Sequence, residues 1–181
     1  MLVPAQLYKD EIKRELIARW YDPKYTHYFT GGREEVEIGN NQLWRRDFAY
    51  LDDDNKLAGY FSYRFNDGDK SMGSFGLIGF KANNLPFVRE VVAHCLNMFT
   101  TGQVQRAEIW AIADNKVCKL YRRFANQYGG KEMAQLHRTT FYDGKYHDSV
   151  VWEFLAENVL AKLYNQAITF GNISDYTTIA D

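Results

Sequence analysis

The run Ala113 to Phe124, "ADNKVCKLYRRF", holds the side chains best suited to chemistry in this chain. Tyr121 carries a phenol, a hydrogen-bond and proton donor with an ordinary pKa near 10. Asn115 offers an amide that can cap a helix or bind a polar ligand. Cys118 stands midway between them. By residue type alone each has a simpler reading. Capping accounts for Asp114 or Asn115, and a Tyr inside an amphipathic helix usually packs in a core. Glu108, His137 and Glu153 are general-base candidates by type, and each reads equally well as a solvated or structural residue. Metal chemistry finds little support. Cys95 and Cys118 form no CxxC pattern, and His27, His94, His137 and His147 show no HExxH spacing.

The chain around these residues has 181 positions, enough for one domain with a substantial core. Its net charge of −1 argues against general electrostatic affinity for nucleic acid or an anionic membrane. Aromatic residues are plentiful, at 16%, and they can line pockets as well as cores. Charges run throughout Leu7 to Trp20, so no signal peptide is expected at the start, and no stretch is long enough to span a bilayer. A cytoplasmic protein is the expectation, with no nucleic-acid or membrane partner.

The elements that must position Asn115 and Tyr121 are legible from periodicity. Tyr8, Ile12, Leu16 and Trp20 recur four apart and predict an amphipathic helix that ends before Asp22-Pro23. Leu43 to Leu51 and Leu57 to Phe65 read as strands joined by the turn "DDDN". "SMGSFGLIGFKA" reads as a third strand, with glycines that mark a bend or a close approach. "NNLPFVREVVAHCLNMF" predicts a helix with Asn84 as N-cap and Pro86 in the first turn. Arg106 to Ala113 is the next strand. A helix follows to about Tyr128, stopped by Gly129-Gly130. Two last strands flank Asp143-Gly144, a two-residue hairpin signal. A short helix is expected near Glu157 to Gln166. The order implies a mixed α/β (α+β) fold in one domain. Its sheet is mostly antiparallel with a central parallel pair, and helices cover both faces.

From about Ser71 to Leu155 the chain resembles the GNAT family of N-acetyltransferases. The resemblance is carried by Asn115, Cys118 and Leu120-Tyr121 after a strand, and by Asp143-Gly144 with Lys145, Tyr146, His147 and Asp148 in the final hairpin. The hairpin, with Arg138 upstream, is most similar to the branch acetylating protein or peptide amino termini. The resemblance implies acetyl-CoA as co-substrate and an amine-bearing small molecule or peptide as acceptor, and it is compatible with a homodimer. It divides the domain into a helical acceptor-side segment (1–41), a core (42–156) and a C-terminal helix and tail (157–181). It implies that Tyr121 is the general acid toward a departing thiolate. The strand at Ile78, Gly79 and Phe80 would face the donor's pantetheine arm, with Asn115 and Cys118 nearby. Asn83, Asn84, Phe87 and Val88 would meet its pyrophosphate end. Trp20, Tyr25 and Tyr28 would wall the acceptor pocket.

The family usually places a glycine-rich loop before the long helix. Here "KANNLPFVRE" stands there without a glycine, leaving Asn83, Asn84, Lys81 or Arg89 to substitute. That loop motivates a competing reading, a fold of this kind that has lost catalysis and serves as a ligand-binding or interaction module.

Overall fold

A computed structural model describes residues 1–20, 38, 44–81, 84–142 and 144–176, the side chains at 20, 142 and 167–176 excepted. The chain opens with β1 (Leu2–Pro4), one 3-10 turn (Ala5–Tyr8) and α1 (Lys9–Trp20). An antiparallel meander follows, formed by β2 (Arg45–Leu51), β3 (Leu57–Asn66) and β4 (Ser71–Gly79). Next come α2 (Leu85–Thr100), β5 (Arg106–Ile112) and α3 (Val117–Tyr128). The hairpin β6 (Lys131–Tyr142) and β7 (Lys145–Leu155) leads into α4 (Ala156–Tyr176). The strands form one sheet in the order β1-β2-β3-β4-β5-β7-β6, and β4–β5 is its parallel pair.

Alternation along β3 sorts the molecule into two layers. Tyr60 points to the face covered by α1, where it packs with Ile12, Leu16 and Ala49. Phe61 and Tyr63 point to the other face, where α2, α3 and α4 cover the larger core around Phe87, Phe99 and Trp152. Helices therefore lie on both faces, as the element order implied. The one buried carboxylate among the described residues, Asp47, is paired: it accepts from the Tyr60 hydroxyl and from Arg45 Nε at 3.1 Å.

Local signals explain the boundaries. Asn84 caps α2, its Oδ1 accepting from the Phe87 N–H at 3.3 Å, while its Nδ2 donates to the Ala58 carbonyl at 2.8 Å. That second bond ties the helix start to β3. Asn84→Ala should therefore cost about 1 kcal/mol for the cap alone, and somewhat more for the orphaned carbonyl. A urea titration against wild type measures it. Gly129 ends α3 at φ +75°, where a Cβ would also meet the Asn158 carbonyl oxygen at 2.7 Å. Only glycine fits that corner.

The structure differs from expectation in two elements. β1 pairs with β2 through Leu2↔Tyr50, yet three residues are too short to show a period. α4 runs 21 residues, well past Gln166, through a stretch containing Gly171 and several β-branched residues that propensity alone would not extend.

β4 is bulged near its middle. Between Ser62 and Arg64 on β3 the register slips, because Gly76 faces Ser62 whereas Gly73 faces Arg64. The extra residue on β4 places Ser74 at φ +51°, in the left-handed region. Bulges bend the strand that carries them.

Candidate active site

The bend in β4 lies just past the point where β4 and β5 part. These strands pair only at Ser71↔Arg106 and Met72↔Ala107. Beyond Met72 the facing edges of β4 and β5 have no ladder partner in each other, so the sheet splits into a V. Its open end lies at the C-terminal ends of both strands, where α2 and α3 begin. Crevices at such strand ends are where open α/β sheets take ligands.

An apolar cavity of about 80 Å³ fills the helix side of the split. Phe75, Leu77 and Ile109 contribute from the strands, and α2 lays a stripe along it from Val88 through Cys95 to Phe99. Tyr121, Phe124 and Tyr128 form the α3 wall. Tyr121 packs edge-to-face on Trp152, with ring centroids 5.5 Å apart. Burial pushes its phenol up to about 12, so it holds its proton across the neutral range. Burial drives the Cys95 thiol in the same cavity up to about 12 as well. Cys95 is half-buried and lines this cavity. No carboxylate lines the space, and no group of three metal-ligating side chains occurs among the described residues.

The expected site residues scatter around this cavity. Tyr121 and Val88 line it. Ile78 and Phe80 instead face α1, and Arg19 both covers the Phe80 ring at 5.1 Å and donates to its carbonyl at 3.0 Å. Gly79 lies beside the start of α2, its Cβ position in ordinary contact at 3.8 Å from Asn84 Cβ. Phe87 is a core residue on Tyr50, with ring centroids 5.1 Å apart. Asn115 caps α3, accepting from the Val117 N–H at 2.9 Å. Cys118 is buried and donates its S–H to the Ile112 carbonyl at 3.2 Å. Asn83, Tyr25, Tyr28 and the side chain of Trp20 lie outside the described residues.

Of the base candidates, Glu108 and Glu153 both pair with Arg106 on the opposite sheet face. His137 is exposed and bonds Asp148. Sequence reasoning missed Trp152 and singled out only Val88 from the α2 stripe. Its helical spacing is the same whether it meets a sheet or a cavity.

The hairpin motif has a structural task. Asp148 accepts from the Arg138 N–H at 3.0 Å, from Gln135 Nε2 at 2.9 Å and from His137. These donors pin a second bulge, where Arg138 takes φ +55°. They lower the Asp148 carboxyl from its ordinary 3.8 to about 2, the Arg138 N–H contributing most. A depressed folded pKa stabilises the native state above the unfolded value near 4. The contribution fades as pH falls through about 2. Asp148→Asn should therefore flatten the acid unfolding profile between about pH 4 and 2, as followed by circular dichroism. An unchanged profile would show that Asp148 titrates alike in both states.

No protein-family model matches the sequence, and no curated protein matches it. Solved structures do match. The spermidine N-acetyltransferase of Vibrio cholerae, in complex with CoA and spermine, superimposes with a TM-score of 0.68 at 19% identity, covering 88% of this chain and 97% of that one. RimL, a ribosomal alpha-N-protein acetyltransferase in complex with coenzyme A, gives 0.64 at 11% identity, covering 83% and 89%. The protein thus has the fold of the GNAT acetyltransferases, a mixed sheet split at its central parallel pair.

Proposed function

We propose that the protein transfers an acetyl group from acetyl-CoA to a primary amine on a small molecule or peptide. The observation that carries this reading is the split between β4 and β5 opening onto Tyr121 in an apolar cavity. The unpaired strand edges suit a ligand arm that carries amides, and the helix side suits its hydrocarbon. The structural neighbours act on spermidine and on a ribosomal protein's alpha-amino group, both amines, so these acceptor types are the first to test.

The fit to the donor is uneven along its length. At the start of α2, Pro86 has no N–H, Asn84 Oδ1 occupies the Phe87 N–H, and the Asn84 carbonyl takes the Val88 N–H at 3.3 Å. Lys81 is ion-paired with Asp52. Among the described residues there, the exposed Arg89 is left to meet phosphate oxygens, and the split supplies the rest of the grip.

Bound acetyl-CoA would supply the activated thioester carbonyl. The split would hold it by strand edges and apolar walls, which brings the reactants together. As the C–S bond breaks and the C–N bond forms, Tyr121 gives its phenolic proton to the sulfur. The amine's proton leaves through water, because no carboxylate lines the cavity. Calorimetry with acetyl-CoA tests the reading: saturable binding is expected, and none at millimolar ligand would end it. Binding without transfer to any amine would instead leave a ligand-binding module.

A further inference from the structure

We propose that Ser62, Tyr60 and Asp47 form a relay that takes the proton lost by the acceptor amine. The proposal rests on the acyl-transfer reading above and adds to it where that proton goes. Alternation puts Asp47 with Ala49, and Ser62 with Tyr60, on the α1 face of β2 and β3, with Asp47 opposite Ser62. Burying a carboxylate such as Asp47 is costly, and its partners show a use for it.

Chemistry fixes the direction of each hydrogen bond. The Arg45 guanidinium can only donate, and it does so to Asp47 Oδ1 at 3.1 Å and to the Tyr60 oxygen at 3.0 Å. A carboxylate only accepts, so the Tyr60 hydroxyl gives its hydrogen to Asp47. Ser62 bonds the same Tyr60 hydroxyl and is therefore the donor there. What remains to Ser62 Oγ is the capacity to accept. Burial and the Asp47 charge hold the Tyr60 phenol up at about 12, so it starts each cycle protonated.

Ser62 Oγ lies beside the split. Gly76 faces Ser62 across the β3–β4 ladder, in the stretch of β4 that has left β5. A Cβ on Gly76 would stand 2.6 Å from Ser62 Oγ, so glycine is what leaves the hydroxyl its place. On the other face, Phe75 and Leu77 line the cavity that holds Tyr121. Ser62 thus backs the same stretch of β4 that walls the cavity. Because α2 and α3 close the helix side, the amine comes from the α1 side. Among the described residues no further charge bears on the network. β4 brings Gly76 and Ile78, α1 turns Ile12 and Leu16 to Tyr60, and Glu15 and Arg19 of α1 pair with each other.

As the C–N bond forms, the amine gives a proton to water. That water passes one to Ser62 Oγ, Ser62 passes its own to Tyr60, and Tyr60 passes its own to Asp47. The ammonium is lost and a carboxylic acid gained, while Tyr121 protonates the thiolate freed from the C–S bond.

Initial rates of transfer from acetyl-CoA to spermidine and to a short peptide with a free amino terminus, measured across pH on the intact protein, test the relay. Ser62→Ala should lower kcat/KM about a hundredfold or more at neutral pH, the usual contribution of a general base. The deficit should close as pH passes the acceptor's own pKa, about 8 for an alpha-amine and about 10 for an alkylamine, because the amine then arrives without its proton. Tyr60→Phe cuts the chain between Ser62 and Asp47 and should give the same profile. Melting curves show whether each variant folds, and Tyr60→Phe decides if Ser62→Ala does not. A loss equal at every pH would mark a packing role and overturn the relay, as would no loss, and both leave acetyl transfer standing. Transfer by the wild type to neither amine would overturn the acyl-transfer reading and the relay with it.

Discussion

Tyr121→Phe is expected to lower turnover about a hundred- to ten-thousandfold, the usual range for loss of a positioned general acid, with little change in acetyl-CoA affinity. The ring stays, so its packing on Trp152 and the cavity wall stay with it. The proton is what goes. A phenol held at about 12 looks too weak an acid for a thiolate whose ordinary pKa is near 8.5. The cavity narrows that mismatch. Cys95 shows what this environment does to sulfur: burial drives its thiol to about 12 too. A thiolate born in the same space is destabilised in the same sense. That shift narrows the gap between donor and acceptor, which favours proton transfer. Wild-type turnover should also show no fall through the ordinary tyrosine range near pH 10. An unchanged rate in Tyr121→Phe, measured with saturating donor and acceptor, would remove the acid role.

Trp152→Ala is expected to cost about 3–5 kcal/mol, the range for truncating a fully buried large aromatic. Trp152 is completely buried on β7, and its ring meets Tyr121 edge-to-face. Its indole Nε1 has no hydrogen-bond partner among the described residues, so its contribution is packing and shape. Trp152→Phe separates the two components. It keeps an aromatic wall for Tyr121 and removes an unpaired buried N–H, whose burial costs about 1–3 kcal/mol. It should therefore cost far less than the alanine variant in a denaturant titration. Equal losses in the two would mean that the indole itself is required. In the folded fraction of Trp152→Ala, turnover should also drop, because Tyr121 has lost its support.

Much of the frame around these residues was legible in the sequence, for local reasons. Asn84 and Pro86 mark a helix start because the one supplies a cap acceptor and the other lacks a donor the helix does not need there. Gly129 marks an end because it alone tolerates the left-handed turn. Asp143-Gly144 falls between strands that pair up to Tyr142↔Lys145. Three-residue β1 escaped notice because pairing with β2 makes it a strand, and nothing in its own pattern does. Individual site residues were harder still. Phe87 and Val88 are neighbours of similar chemistry, yet one fills the core against Tyr50 and the other lines the cavity. One step along a helix turns the side chain by about 100°, and only the position of the neighbouring strands says which direction matters.

The sequence by itself determined the element order after β1, the caps and turns, the mixed sheet with a parallel pair, and the placing of Tyr121 one turn into a helix that follows a strand. Each of these is set by contacts close along the chain or by the choice of face. Tertiary structure alone decided that β4 bends at Ser74, that β4 and β5 part after two paired residues, and that the α2 stripe walls a cavity instead of sealing a core. Those outcomes depend on how strands distant in sequence share register, and side-chain period carries no record of register between strands.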